Sequence, residues 1–245
     1  MLRRRNRISA ALIALLAVGA SPSFASSVFA FGLKIGYTSG QLRAKQGEGE
    51  YKVDKGSLSG GSFGLVGRIR LNDFLSLQPE VLYFQKGGRY RVGVPIETPY
   101  VTVTVSDRRF ADYIEVPLLL KAALPLRIPF RPTFLVGGSI GFNLSAKLDN
   151  EVKIVAPFQR AVLTSTEDVK KQTNAVEPSL IIGGGFDVVL PRGRIVIDQR
   201  FSFGLTANPY EVVIPASRFA GAGFPLGRDV SYKLDMYNYV FSVSA

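Results

Sequence analysis

The side chains that carry most enzyme chemistry are missing from this sequence. Its 245 residues include no Cys, no His and no Trp. Thiolate nucleophiles, disulfides, zinc sites built on Cys or His, His-ligated haem and Ser-His-Asp triads are therefore excluded. Hydrolysis and acyl transfer need a general base near neutrality, and histidine fills that role most often. Only a Ser–Lys pair or a carboxylate dyad would remain, and Ser62, Ser76 and Ser202 read better as small residues facing the inside of a sheet. The chain is read as non-enzymatic, with no cofactor and no metal site. What it does contain is charge placed at alternate positions of apolar stretches. Lys34, Arg68, Arg70, Lys86, Lys121 and Arg200 are cations of this kind, and Glu80, Glu115, Asp187 and Asp198 are anions.

The elements that must position these charges are strands. From Val28 onward no stretch carries a 3.6-residue pattern, whereas several alternate with period two. Phe29, Phe31, Leu33, Ile35 and Tyr37 share one face, and Ala30, Gly32, Lys34 and Gly36 share the other. The same reading gives strands near Ser62–Leu71, Leu75–Lys86, Tyr113–Leu124, Thr133–Lys147, Leu180–Leu190, Ile195–Leu205 and Tyr237–Ala245. Most approach the ~9–11 residues that a tilted strand needs to cross a bilayer. Short and long connections alternate strictly. The short ones lie at Asn72–Phe74, Pro125–Pro132 and Pro191–Arg194, and the long ones span roughly 38–60, 88–110, 148–178 and 206–236.

That pattern predicts an all-β fold: an eight-stranded antiparallel up-and-down transmembrane β-barrel with long extracellular loops and short periplasmic turns. A soluble ligand-binding barrel has similar alternation, but its outward face must be polar and broad. Here the polar face is made of small and charged residues, the other face is almost free of charge, and four long connections suit a soluble domain poorly.

The N-terminus predicts export. Arg3, Arg4, Arg5 and Arg7 precede an apolar run of 13 residues from Ile8 to Ala20, too short to span a bilayer at about 20 residues. Pro22 ends the run, and Ser23-Phe24-Ala25 offers small residues for signal peptidase. Residues 1–25 are read as a cleaved signal peptide and 26–245 as one barrel domain. Losing four Arg lowers the formal charge from +11 to +7. Nucleic acid is not an expected partner of an exported barrel; outer-membrane lipids are.

Two segments, LQPEVLYFQKG (Leu77–Gly87) and YIEVPLLLK (Tyr113–Lys121), resemble the signatures of the PorT-like family of outer-membrane β-barrel proteins. GGGF (Gly183–Phe186) and DQRFSFGL (Asp198–Leu205) look like later strands of that family. The resemblance implies an eight-stranded barrel in the outer membrane of a Gram-negative bacterium and no defined activity.

An eight-stranded barrel is only wide enough for side chains to fill. The ten charges named above are therefore expected to pair inside the lumen, because an unpaired buried charge costs several kcal/mol. A structural or interaction role follows, with a narrow pore or a transport or secretion accessory as the alternative. If Leu190 meets Ile195, Asp187 faces Asp198 with Arg200 diagonal to hold the pair. Arg89–Val94 and Val101–Val105 also alternate, so Tyr90, Val101, Val103 and Val105 are expected in a projecting hairpin whose free edges could add to the sheet of an envelope partner.

Overall fold

The computed structural model describes residues 28–46, 53–94, 102–124, 130–157, 159–191, 193–206, 208–214 and 230–244. The sequence expectations for the signal peptide and for Val101 fall outside them. Among the described residues ten strands form: β1 (Phe29–Gln46), β2 (Val53–Arg70), β3 (Leu75–Val94), β4 (Thr102–Ala123), β5 (Phe130–Ala156), β6 (Gln159–Asp168), β7 (Val176–Leu190), β8 (Gly193–Gly204), β9 (Asn208–Ile214) and β10 (Val230–Ser244). Eight of them close the barrel in the order β1-β2-β3-β4-β5-β7-β8-β10, with β10 pairing back onto β1. All neighbours are antiparallel, so the eight-stranded up-and-down barrel stands.

The expected long loops are largely strand. β5 continues to Ala156 and turns back as β6; among the described residues β6 pairs with β5 alone and β9 only with the upper part of β10. The pairing of β1 with β2 stops at Gly40↔Leu58, whereas β1 stays paired with β10 up to Gln46↔Leu234. Beyond the barrel the wall therefore divides into two sheets, β2-β3-β4-β5-β6 and β1-β10-β9.

Period-two alternation sets inside from outside. Phe29, Phe31, Leu33, Ile35 and Tyr37 of β1 are exposed, as are Val116, Leu118 and Leu120 of β4 and Ile195, Ile197, Phe201 and Phe203 of β8. An apolar outward face of this kind belongs against lipid. At its extracellular border it ends in a polar cluster. Gln85 Nε2 donates to Asp112 Oδ1 at 3.2 Å and to the Tyr83 hydroxyl at 3.3 Å, and Ser145 Oγ donates to Asp112 Oδ2 at 2.7 Å. Tyr83 lies 5.0 Å from Phe63, and Phe130 stacks on Phe186 at 4.4 Å near the opposite border.

Among the described residues the register shifts twice, once in β2 between Ser57 and Ser62 and once in β5, where the bulge changes the faces. Between Asp112↔Ser145 and Tyr113↔Asn143 strand β5 carries an extra residue. The alternation expected from Thr133 to Lys147 holds through Phe142; beyond the bulge Ala146, Leu148 and Asn150 turn inward while Lys147 is exposed.

Several inward glycines mark places where strands press together. A Cβ at Gly185 would sit 1.9 Å from the Ile197 carbonyl oxygen, and one at Gly64 would sit 2.1 Å from that of Val81. No side chain fits in that space. Gly185→Val is expected to destabilise the barrel by about 1–3 kcal/mol, the usual range for overpacking. Gly193→Ala, with no atom within 4 Å of the new methyl, should leave the guanidinium unfolding midpoint in detergent unchanged. Equal midpoints for the two variants would contradict the close approach.

Candidate functional site

The inward face holds two charge clusters. β1, β3, β4, β7 and β8 supply the first, nearer the short turns. Arg200 forks over Glu80, with Nη1 donating to Oε2 and Nη2 to Oε1, both at 2.7 Å. Its Nη2 also reaches Asp198 Oδ2 at 2.8 Å. Lys34 Nζ donates to the same two carboxylates, at 3.2 Å to Glu80 and 3.0 Å to Asp198. Gln78 Nε2 completes the shell of Glu80 at 2.6 Å. Lys121 then links Asp198 at 3.4 Å to Asp187 at 2.7 Å, and Arg194 Nη1 closes on Asp187 Oδ2 at 2.8 Å. Planar guanidinium forks suit paired carboxylate oxygens, which explains why Arg200 rather than Lys grips Glu80.

Above this cluster lies an apolar collar of Leu82, Phe84, Leu119, Leu135 and Ile181, all buried. A cavity of about 20 Å³, room for one or two waters, lies beside it, lined by Lys34, Ser62, Glu115, Arg200 and Ser202 among others. Higher still, Lys86 Nζ sits 3.2 Å from Glu115 Oε2 and 3.3 Å from Glu177 Oε1. The Lys86 ammonium is 4.8 Å from the Tyr113 ring centroid, and Ser139 Oγ donates to Glu115 Oε1 at 2.5 Å. Arg109 donates to Thr173 in the next layer.

Eight of the ten charges read from the sequence are thus buried in one lumen: Lys34, Glu80, Lys86, Glu115, Lys121, Asp187, Asp198 and Arg200. Arg68 is half-buried and Arg70 is exposed at the end of β2; neither joins these ion pairs. Glu177 and Arg194 were not anticipated, because one lay in a presumed loop and the other in a presumed turn. Parity could have found both. Glu177 lies an even number of residues from Asp187, and Arg194 from Arg200.

The expected Asp187–Asp198 pair is corrected. A two-residue link lets Leu190 pair with Gly193, so Asp187 meets Val196 and Asp198 meets Gly185. Arg200 holds Glu80 and Asp198, and Asp187 belongs to Lys121 and Arg194. The free-edged hairpin is corrected as well. Its strands do extend, but Val53–Ser57 of β2 covers one edge and Glu151–Val155 of β5 the other. Tyr90 and Val105 are buried, and Val103 pairs with Ile154. Val105 and Ile154 are both 0% exposed, which places them in a core rather than on a docking face. The outward side of this extension is charged. There Lys153 stands 2.7 Å from Glu151 and holds its carboxyl below the usual range.

Among the described residues no three His, Cys, Asp or Glu side chains come together as a metal site, and no helix is long and apolar enough to cross a membrane. The strands make the crossing.

Removing one partner of a buried ion pair leaves the other charge stranded, at about 3–5 kcal/mol. Arg200→Ala strips Glu80 of its guanidinium fork and leaves it the Lys34 ammonium and the Gln78 amide, whereas Arg89 is exposed on the outer face of β3. Arg200→Ala should therefore lower the denaturant midpoint of the detergent-solubilised barrel well below that of Arg89→Ala. Coincident midpoints would show that the cluster contributes nothing to folding.

The family model described as outer membrane protein beta-barrel domain matches residues 21–208. Among solved structures, the chain is similar to Neisserial surface protein A at 12% identity and a TM-score of 0.37, covering 89% of this chain and 95% of the other. It is similar to OprG from Pseudomonas aeruginosa at 13% identity and a TM-score of 0.38, covering 88% and 95%. Ail, the attachment invasion locus protein of Yersinia pestis, matches at 14% identity and a TM-score of 0.34, covering 87% and 94%. No curated protein matches the chain. Scores this low add no argument of their own, and the assignment rests on the family model together with the closed, lipid-facing barrel. This chain belongs to the outer membrane protein β-barrel domain family and resides in the outer membrane.

Proposed function

We propose that this barrel is a closed, non-catalytic scaffold that carries its two extracellular sheets above the membrane for contact with an envelope partner. The observation that carries the reading is the lumen. Five cations (Lys34, Lys86, Lys121, Arg194 and Arg200) meet five anions (Glu80, Glu115, Glu177, Asp187 and Asp198), so the set is neutral. With the apolar collar between the two clusters, the pairs fill the lumen around a cavity of about 20 Å³. The absence of histidine from the whole chain supports the non-catalytic part. A soluble periplasmic barrel is set aside by the family assignment and by the exposed apolar belt.

Kinship with the PorT-like branch rests on the two motifs in β3 and β4. Their inward residues Glu80, Lys86, Glu115 and Lys121 supply four of the ten plug charges, and Gln78 supports Glu80, so the motifs read as plug signatures rather than as an activity. A role as a transport or secretion accessory would then act through the extracellular sheets and not through conduction.

Purified protein in planar bilayers is expected to show no stable channel between pH 6 and 8, roughly the window in which carboxylates, Lys and Arg all stay charged. Reproducible single-channel steps would overturn the closed reading in favour of a narrow pore.

A further inference from the structure

The neutral plug leaves charge over at one end. Arg68 and Arg70 lie two apart on the inward face of β2, and Arg131 lies on the inward face of β5, directly opposite Asp187. Asp187 is the buried carboxylate at this end, where Asp73 is exposed in the β2–β3 turn, and Lys121 and Arg194 already hold the two oxygens of Asp187. Asp187, Arg70 and Arg131 all act electrostatically on Arg68, so the three arginines share one neighbourhood. The Nε atoms of Arg68 and Arg131 are buried and have no hydrogen-bond partner among the described residues. Buried donors are normally satisfied, and a guanidinium is a directional fork that matches an oxyanion.

The position of these residues narrows the ligand. They face the lumen at the end that carries the short turns, the periplasmic end of such a barrel. Bilayer headgroups ring the outer face and are separated from this mouth by the strands. A concave mouth with low-dielectric walls and one sign of charge concentrates counter-ions from the adjoining solution. Three guanidinium groups are better answered by a dianion than by a single carboxylate. Arg is also the residue suited to bidentate recognition of phosphate.

We propose that Arg68, Arg70 and Arg131 form a phosphate-binding site in the periplasmic mouth, taking the phosphate group of a water-soluble periplasmic molecule. Arg194 borders the site and keeps Asp187 out of it. The inference goes beyond the scaffold reading and does not depend on it.

Inorganic phosphate is the probe, titrated calorimetrically into the full chain held in nanodiscs of zwitterionic lipid. Saturable binding is expected, weakened at least tenfold by Arg68→Gln and by Arg131→Gln and unaffected by Arg108→Gln on the extracellular outer face. Arg70→Gln, at an exposed position, serves as the variant least able to disturb folding and should also weaken binding. The shift between heated and unheated gel mobility shows that each protein is folded. Arg131→Lys keeps the charge but loses the fork, so it should bind more weakly than the parent chain. Acetate at equal concentration should not displace phosphate. Binding should also survive in discs that contain an anionic phospholipid; its loss there would give the site to a lipid headgroup and overturn the soluble ligand. No saturable binding to the folded chain, or equal binding by the Arg108 and Arg68 variants, would overturn the site itself.

Discussion

Everything in this molecule depends on closing eight strands around a space no wider than their own side chains. Lipid covers the outside of that wall, so no hydrophobic gain comes from turning apolar residues inward, and the usual inside–outside rule loses its force. Phe31 is 82% exposed on the outer face, whereas Asp198, Glu80 and Lys121 are among the most buried groups. Each inward charge must then find its partner across the lumen. The strands that supply these charges are far apart in sequence: Lys34 meets Asp198 over 164 residues, and Arg200 meets Glu80 over 120. These two long-range pairs therefore form only when the sheet is closed, whereas Arg194–Asp187 and Lys86–Glu115 join neighbouring strands.

How much of this the sequence reveals follows from the same constraint. Period-two alternation is a local property, so the faces of β1, β3, β4, β7 and β8 and the burial of eight charges could be read directly. Non-local features could not. The bulge at Asn143–Ser145 needs one extra residue and leaves little trace in composition, yet it turns Lys147 outward. β6 and β9 were hidden because a strand paired on one edge above a membrane has no lipid face and alternates weakly. The hairpin from Leu190 to Gly193 was misjudged by two residues, since Pro191-Arg192-Gly193-Arg194 reads as a four-residue turn although only two residues lie outside the pairing. An error of two preserves every face, which explains why the burial of Asp187 and Asp198 survived while their partners did not.

Buried ion pairs are weak evidence for net stability, because desolvation offsets much of the attraction. Their stronger effect here is on register. A slip of one residue would turn charges toward lipid, at about 2–4 kcal/mol for each Arg or Lys at the midplane. A slip of two is the harder error to prevent, since faces are kept and only the facing pairs change.

The β7–β8 hairpin shows how that slip is resisted. Pairing Leu190 with Ile195 would set Asp187 directly opposite Asp198, with Cβ atoms about 4.5–5.5 Å apart. The observed register staggers the two carboxylates and opens between them the position that Lys121 occupies from β4, 2.7 Å from one and 3.4 Å from the other. It also sets Asp198 against Gly185, where a Cβ would meet the Ile197 carbonyl at 1.9 Å. In the slipped register Asp187 would stand where that glycine stands, with a side chain in a space that admits none. Charge repulsion and backbone approach thus reject the same alternative independently, and the GGGF segment that looked like a family mark in the sequence supplies the glycine on which the steric half of that rejection rests.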